Sequence, residues 1–271
     1  MRIDRITALL AILLTPSLAL AAPKISTPRM PTGPWNVEFA DSMCVLSRPF
    51  GNDGLSNLAL KPAMLSQDFE IVVTEPARGS REPNSGPVVV MVAGTTKVQD
   101  SRFTAYNTPK MRLLRMQVNE KQLALSAVNG TISIEAKDEN RHHFAVPGID
   151  RAFPILTRCV DQLREAYKVS KADLAAIATM PEGLLPGLFS TDDYPQEALS
   201  KGQYGTVGVL LWVDEAGKVA TCEVIEAGAA ASLKETTCGI FKRRAKFVPA
   251  KGSDGKAIRA PIFTRIQWLL P

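Results

Sequence analysis

Residues 205–226 read GTVGVLLWVDEAGKVATCEVIE. The β-branched and apolar run over 205–213 and the alternating run over 219–226 predict two strands, and Asp214-Glu215-Ala216-Gly217 between them predicts a hairpin turn. Downstream, residues 233–246 have helical period, with Leu233, Thr237, Ile240, Phe241 and Arg244 on one stripe. Phe247-Val248-Pro249-Ala250 leaves that helix, the polar stretch 251–256 (KGSDGK) makes a hairpin loop, and a last strand is expected over 261–270. Upstream, Tyr194-Pro195 opens a short helix over 196–201 that stops at Gly202. The order helix, strand, strand, helix, strand defines a small α+β module over 188–271.

That module resembles the C-terminal domain of the TonB family of energy transducers. The resemblance rests on Tyr194-Pro195, Ala198, Gly202, Gly205, the strand Val207-Gly208-Val209-Leu210 and the turn from Asp214 to Val219. It continues through the helix from Leu233 to Lys246, Phe247-Val248-Pro249-Ala250, Gly255-Lys256-Ala257 and the terminal Phe263-Thr264-Arg265-Ile266-Gln267-Trp268-Leu269. It implies a periplasmic binding module, not an enzyme. Its partner would be the TonB box, an extended segment of outer-membrane receptors for siderophores and similar nutrients, held by strand addition at an exposed sheet edge. Carried over by residue, Phe263, Thr264, Arg265, Ile266, Gln267 and Trp268 form the docking edge, and Tyr194 and Pro195 a second contact region. The family's full transducer keeps a transmembrane helix that engages the ExbB–ExbD motor and a long Pro-rich rod. This sequence has neither feature in that form, so an ExbB–ExbD contact is not implied.

Toward the N-terminus, Arg2 and Arg5 precede an apolar run over 6–14, Pro16 and the small-residue site Ala19-Leu20-Ala21. Residues 1–21 therefore read as a signal peptide, which leads to the periplasm if cleaved and to an inner-membrane anchor if not. Residues 22–34 (APKISTPRMPTGP) read as an extended leader outside any core. Short strand-like runs follow over 35–39, 44–48, 55–60, 69–74, 88–92, 113–118, 123–128, 131–134 and 143–146. They are broken by turn signals at 51–54, 84–87 and 129–130, a spacing that predicts a mainly antiparallel β domain. One helix closes it: Ala152, Leu156, Cys159, Val160, Leu163 and Tyr167 share a stripe, Asp150 is the expected N-cap, and Pro154 falls early enough to be tolerated. Residues 35–167 thus form a β-rich domain with a packed helix. A connector over 168–187 follows, with Ser170 capping a short helix over 171–179 and Pro181, Gly183, Pro186 and Gly187 breaking regular structure.

Four cysteines allow three disulfide pairings. Cys44 lies in an early strand and Cys159 on the buried stripe of the helix; Cys222 lies on the module's second strand and Cys238 in the helix that crosses it. Pairing within each domain, 44–159 and 222–238, is expected in an oxidising compartment. A four-cysteine zinc site competes with it.

The charge balance, 32 Lys and Arg against 27 Asp and Glu, is too mild for a nucleic-acid footprint. The only histidines are His142 and His143, which as strand neighbours point to opposite faces and read as surface residues, not as a metal pair. Lys242, Arg243, Arg244 and Lys246 read as a solvated basic helix end, with lipopolysaccharide, lipid or peptidoglycan contact as the sharper alternative. The loop over 75–87 reads as flexible. No nucleophilic triad, phosphate loop or paired-carboxylate signature stands out, so neither a catalytic residue nor a cofactor is expected. Two functions remain: a TonB-like protein for receptor-linked nutrient uptake, or a stand-alone periplasmic interaction module for another envelope protein or peptidoglycan.

Overall fold

Helix α1 (Ile149–Ala166) buries Ile149, Ala152, Leu156, Cys159 and Val160 along one face, the stripe expected from the 3.6-residue period. Its cap differs from expectation. Gly148, with φ 76°, takes the N-cap position, and Asp150 sits in the first turn. Glycine is suited to that left-handed backbone, and the Asp150 carboxylate lies where the helix dipole is positive.

The computed structural model describes residues 27–270 apart from 41, 52–54, 67, 78–80, 93–95, 99–100, 120–122, 124–129, 184–186 and 226–227. The expected signal peptide and most of the strand expected over 123–128 lie outside the described residues. The chain is mixed α+β. Strands β1 (Asn36–Ala40), β2 (Met43–Phe50), β3 (Ser56–Pro62), β4 (Asp68–Pro76) and β5 (Asn84–Val92) come first. They are followed by β6 (Thr96–Val98), β7 (Arg102–Asn107), β8 (Met111–Asn119), β9 (Thr131–Ala136) and β10 (His142–Ala145). They form one sheet in the order β1-β2-β3-β4-β8-β7-β5-β9-β10, with β6 added to β5, and every pairing is antiparallel. Along β4, Phe69, Ile71 and Val73 are buried while Glu70 and Val72 face outward. This period-2 alternation sets the inner face. The core joins Leu46, Leu58, Leu60, Ile71, Val90, Leu114, Ile132 and Phe144 to the α1 stripe. Cys44 and Cys159 are bonded to each other across this layer.

Three sequence expectations need correction here. Residues 84–87 are strand, not turn: Asn84, Ser85, Gly86 and Pro87 pair with Ala105, Thr104, Phe103 and Arg102. Strand β7 had no counterpart in the sequence reading, although Phe103 and Ala105 alternate inward. His142 is not a surface residue. It is 0% exposed and stacks on Phe144 with ring centroids 5.6 Å apart.

The leader is not buried, but it is tied down. Arg29 N–H donates to His143 O at 2.7 Å, Ala145 N–H donates to Arg29 O at 2.9 Å, and Thr32 N–H donates to Pro49 O at 3.0 Å. Arg48 Nε adds a bond to Gly33 O at 2.7 Å. The His143 and Ala145 main-chain groups would otherwise be open on the rim of β10.

The second half contains α2 (Lys171–Ala176), β11 (Ile177–Thr179), α3 (Gln196–Ser200), β12 (Gly205–Val213), β13 (Val219–Val224) and α4 (Ala231–Arg244). Three more strands, β14 (Ala250–Gly252), β15 (Ala257–Ile258) and β16 (Ala260–Trp268), complete it. The helix expected over 171–179 stops at Ala176, and the next residues become a strand paired with β14. Ser170 caps α2 as expected, its side chain accepting from Asp173 N–H. Beyond β11, Glu182 and Val248 exchange two main-chain bonds, at 3.1 and 2.7 Å. The connector therefore joins the C-terminal module through backbone pairing.

Strand β12 is central, in the order β13-β12-β16. One face, Val207, Val209, Leu211 and Val213, packs with Leu233, Ile240 and Phe241 of α4. The other, Leu210 and Trp212, clusters with Met64 of the β3–β4 turn, Val169 and Ile225. A strand buried on both faces reads as a continuous apolar run, as 207–213 does. The two halves of the chain share this second cluster, and Arg164 Nε of α1 also donates to Met64 O at 2.7 Å.

Candidate strand-docking edge

The hairpin that sets the module's register is built from Asp214 and Gly217. Asp214 Oδ1 accepts from Ala216 N–H at 3.0 Å and Lys218 N–H at 2.8 Å. Gly217 has φ 76°, and a side chain there would strike the Phe247 carbonyl. The same glycine accepts Phe247 N–H at 2.8 Å, which anchors the segment leading from α4 into β14. A staple from Cys222 to Cys238 joins β13 to α4.

These anchors position β16, which pairs with β12 over nine residues from Gly205↔Trp268 to Val213↔Ala260. Among the described residues no strand pairs with its outer side. In an antiparallel ladder alternate residues direct N–H and C=O away from the partner, so β16 carries a row of outward main-chain groups. Arg265 and Gln267 are exposed, and Ile262, Phe263, Thr264 and Ile266 are half-buried. The Arg265 guanidinium lies 4.4 Å from the Phe263 ring centroid.

Beside this edge is an open cleft of about 570 Å³. Ile262, Phe263, Thr264 and Arg265 form one wall; Lys61, Glu70, Arg115 and Gln117 on the outer face of the N-terminal sheet contribute the other; Met180, Gly183 and Phe247 also line it. Glu70 is shared by two cations, Lys61 at 3.1 Å and Arg115, whose Nε donates to it at 2.6 Å. Partial burial works against the charged form of Arg115. Glu70 more than offsets that burial and holds the guanidinium pKa above its ordinary value.

The structure brings Tyr194 and Trp268 together, but in the core. They are 7% and 5% exposed and meet edge to face at 5.4 Å. Tyr194 Oη donates to Gln203 O at 2.5 Å. Phe189 fills the space between Trp268 and Phe241. Pro195 is half-buried at the N-cap of α3. The turn that carries Tyr194 is clamped from α4: Arg244 makes two 2.7 Å bonds to the Asp193 carboxylate, whose pKa it holds down to about 2. Arg244 is therefore partnered, whereas Lys242, Arg243 and Lys246 project as exposed side chains. Of the predicted contact residues, the structure leaves Phe263, Thr264, Arg265, Ile266 and Gln267 at the accessible edge.

The second wall was absent from the sequence reading. Lys61, Glu70 and Arg115 belong to three different strands, and only the non-local β3–β4–β8 pairing brings them together. No short motif could signal them. Among the described residues no group of three or more His, Cys, Asp or Glu could hold a metal ion, and no helix is long and apolar enough to cross a membrane.

Fold and edge together define a class: a small α+β module whose terminal strand has, among the described residues, no strand on its outer side. Residues 191–270 match the family described as Gram-negative bacterial TonB protein C-terminal, the resemblance read from this module's sequence. The match leaves residues 1–190 and Pro271 outside it. Comparison with curated proteins finds no match to the chain.

Proposed function

We propose that the protein is a periplasmic TonB-like factor. In this reading, β16 receives an extended segment, the TonB box, of an outer-membrane nutrient receptor by strand addition. The observation that carries the reading is the outer side of β16, unpaired among the described residues and bordering an open cleft. The match of residues 191–270 to that family supports the receptor as the source of the segment. Main-chain bonds would supply affinity, and alternate side chains would settle into the cleft and over Phe263 and Ile266. Tyr194 and Trp268 hold the edge in place from the core without touching the partner. The signal peptide over 1–21 would deliver the chain to the compartment where both disulfides persist.

The test is a titration of the full chain lacking residues 1–21 with synthetic TonB-box peptides, read by hydrogen exchange. Slowed exchange confined to residues 260–268 is expected. No protection at millimolar peptide, with the domain folded by circular dichroism, would overturn the reading.

A further inference from the structure

The leader touches two strands that are not neighbours. Arg29 bonds to His143 and Ala145 of β10, while Thr32 bonds to Pro49 and Pro31 bridges Phe50 at the end of β2. Residues 48–50 lie beyond the reach of β1, which pairs with 43–47. Strands β2 and β10 stand near opposite ends of the sheet order, so residues 29–33 form a strap that closes a seam between them. An aromatic stack runs inside that seam. His142 stacks on Phe144 at 5.6 Å, and Phe144 meets Phe50 at 4.7 Å. Phe144 and Phe50 are the very residues that Arg29 and Pro31 bridge. His142 is fully buried, and among the described residues neither of its ring nitrogens has a hydrogen-bond partner.

A neutral imidazole without a partner is costly here, and an imidazolium, with a charge and two N–H donors, is far more so. The groups around the ring do not relieve that cost. Its β9 partner, Ile134, and the Phe144 ring are apolar. Arg29 on the strap repels the charge, and Glu139 in the β9–β10 turn attracts it. Glu139 is already held by Arg112, Asn84 and Arg81. On β10 itself, Arg141 is paired with Glu135, and His143 takes the opposite face. Burial and Arg29 together hold the His142 pKa down to about 4.

We propose that the strap is an acid-released latch: protonation of His142 frees residues 29–33 from β10 and β2 while the strands on either side keep their pairing. Release takes the Arg29 charge away from the ring, opens the seam to water and solvates the imidazolium. It uncovers His143 O and Ala145 N–H on the β10 rim, and the same strap closes that rim again when the proton leaves. The latch needs no partner at β16.

Hydrogen exchange on the full chain lacking residues 1–21 tests the latch, with rates corrected for the intrinsic effect of pH. The reporters are the strap donors, the N–H groups of Arg29, Thr32 and Ala145. The references are the β4–β8 and β12–β16 ladders, one in each half of the chain. The open form takes up a proton at about pH 6.5 and the closed form only near 4. Strap protection is therefore expected to fall about tenfold per unit between about pH 6 and 4.5. The strap should exchange through an opening insensitive to low urea, with both ladders more protected at every pH. His142→Phe, which keeps the stacking, should flatten the dependence; His142→Leu serves the same purpose if the larger ring misfolds. Strap protection that stays flat across this range, that falls only together with the ladders, or that falls as steeply without His142 would overturn the latch.

Discussion

The Trp268 indole N–H donates to Thr237 Oγ1 at 2.9 Å, and the same hydroxyl donates to Leu233 O at 2.7 Å. The last residue of β16 is thereby fastened to the middle of α4. Both partners are buried, so the bond has no ready substitute in solvent. Thr237→Val preserves the shape and orphans the indole N–H, which costs about 1–3 kcal/mol. Trp268→Ala also empties the space shared with Tyr194 and Phe189 and should cost about 3–5 kcal/mol. Urea unfolding followed by fluorescence, with circular dichroism for Trp268→Ala, checks both. An unchanged midpoint for Thr237→Val would show that the buried bond contributes nothing.

His142 makes the protein sensitive to mild acid. Burial, reinforced by the positive charge of Arg29 and opposed by Glu139, lowers its pKa to about 4, and neither ring nitrogen has a hydrogen-bond partner in the protein. The folded value lies below the unfolded value of about 6.5. The stabilisation is therefore complete above about pH 6.5 and is lost as pH falls toward about 4, up to about 3 kcal/mol. His142→Phe keeps the stacking on Phe144 and removes the titration. Urea midpoints at pH 7.5 and 4.5 should fall steeply for the parent and less for the variant. Equal slopes would rule out His142 as the source. Asp193, held near 2 by Arg244, loses its contribution only at lower pH, between about 4 and 2.

The two disulfides should differ in both strength and access. Cys44–Cys159 spans 115 residues and Cys222–Cys238 spans 16. In the chain-entropy model these loops correspond to about 4–5 and about 3 kcal/mol. Cys44 and Cys159 are buried, and Cys222 and Cys238 half-buried. Under mild reductant, alkylation should label 222 and 238 first. The double alanine variant at 44 and 159 should lower the urea midpoint more than that at 222 and 238. Reversed order in either measurement would contradict the burial argument.

Local chemistry made the C-terminal module readable before its coordinates. Asp214 and Gly217 specify a turn, 207–213 an apolar strand, and the α4 stripe a packed helix; each acts within a few residues. The α1 stripe was legible for the same reason, whereas the cysteine pairs, 115 and 16 residues apart, followed from assigning each cysteine to a domain. The N-terminal sheet was less so, because its order places β8 beside β4 and β9 beside β5, and pairings that distant leave no mark on any one segment. The strand at Ile177–Thr179 hid behind helix-forming alanines, since its pairing with Gly252 and Lys251 overrides local propensity. The terminal strand β16 was legible as a strand from its own residues. The opposite wall at Lys61, Glu70 and Arg115 exists only after the sheet has formed and α1 has brought Met64 against β12.

Strand addition can be separated from side-chain contact by proline. Within β16, Thr264 and Arg265 are neighbours opposite Val209 and Gly208, so their N–H groups point to opposite sides of the strand. One donates toward β12 and the other toward the cleft. Proline removes an N–H and is tolerated in a sheet only where that group faces outward from an edge. One of Thr264→Pro and Arg265→Pro should therefore destabilise the module by about 3 kcal/mol or more, visible as a lowered unfolding midpoint. The other should retain the fold and lose peptide binding at least tenfold, because it deletes a main-chain donor the visiting strand requires. Alanine at the same position separates the loss of the side chain from the loss of the donor. If both proline variants fold and bind like the parent, the edge of β16 is not where a partner strand pairs.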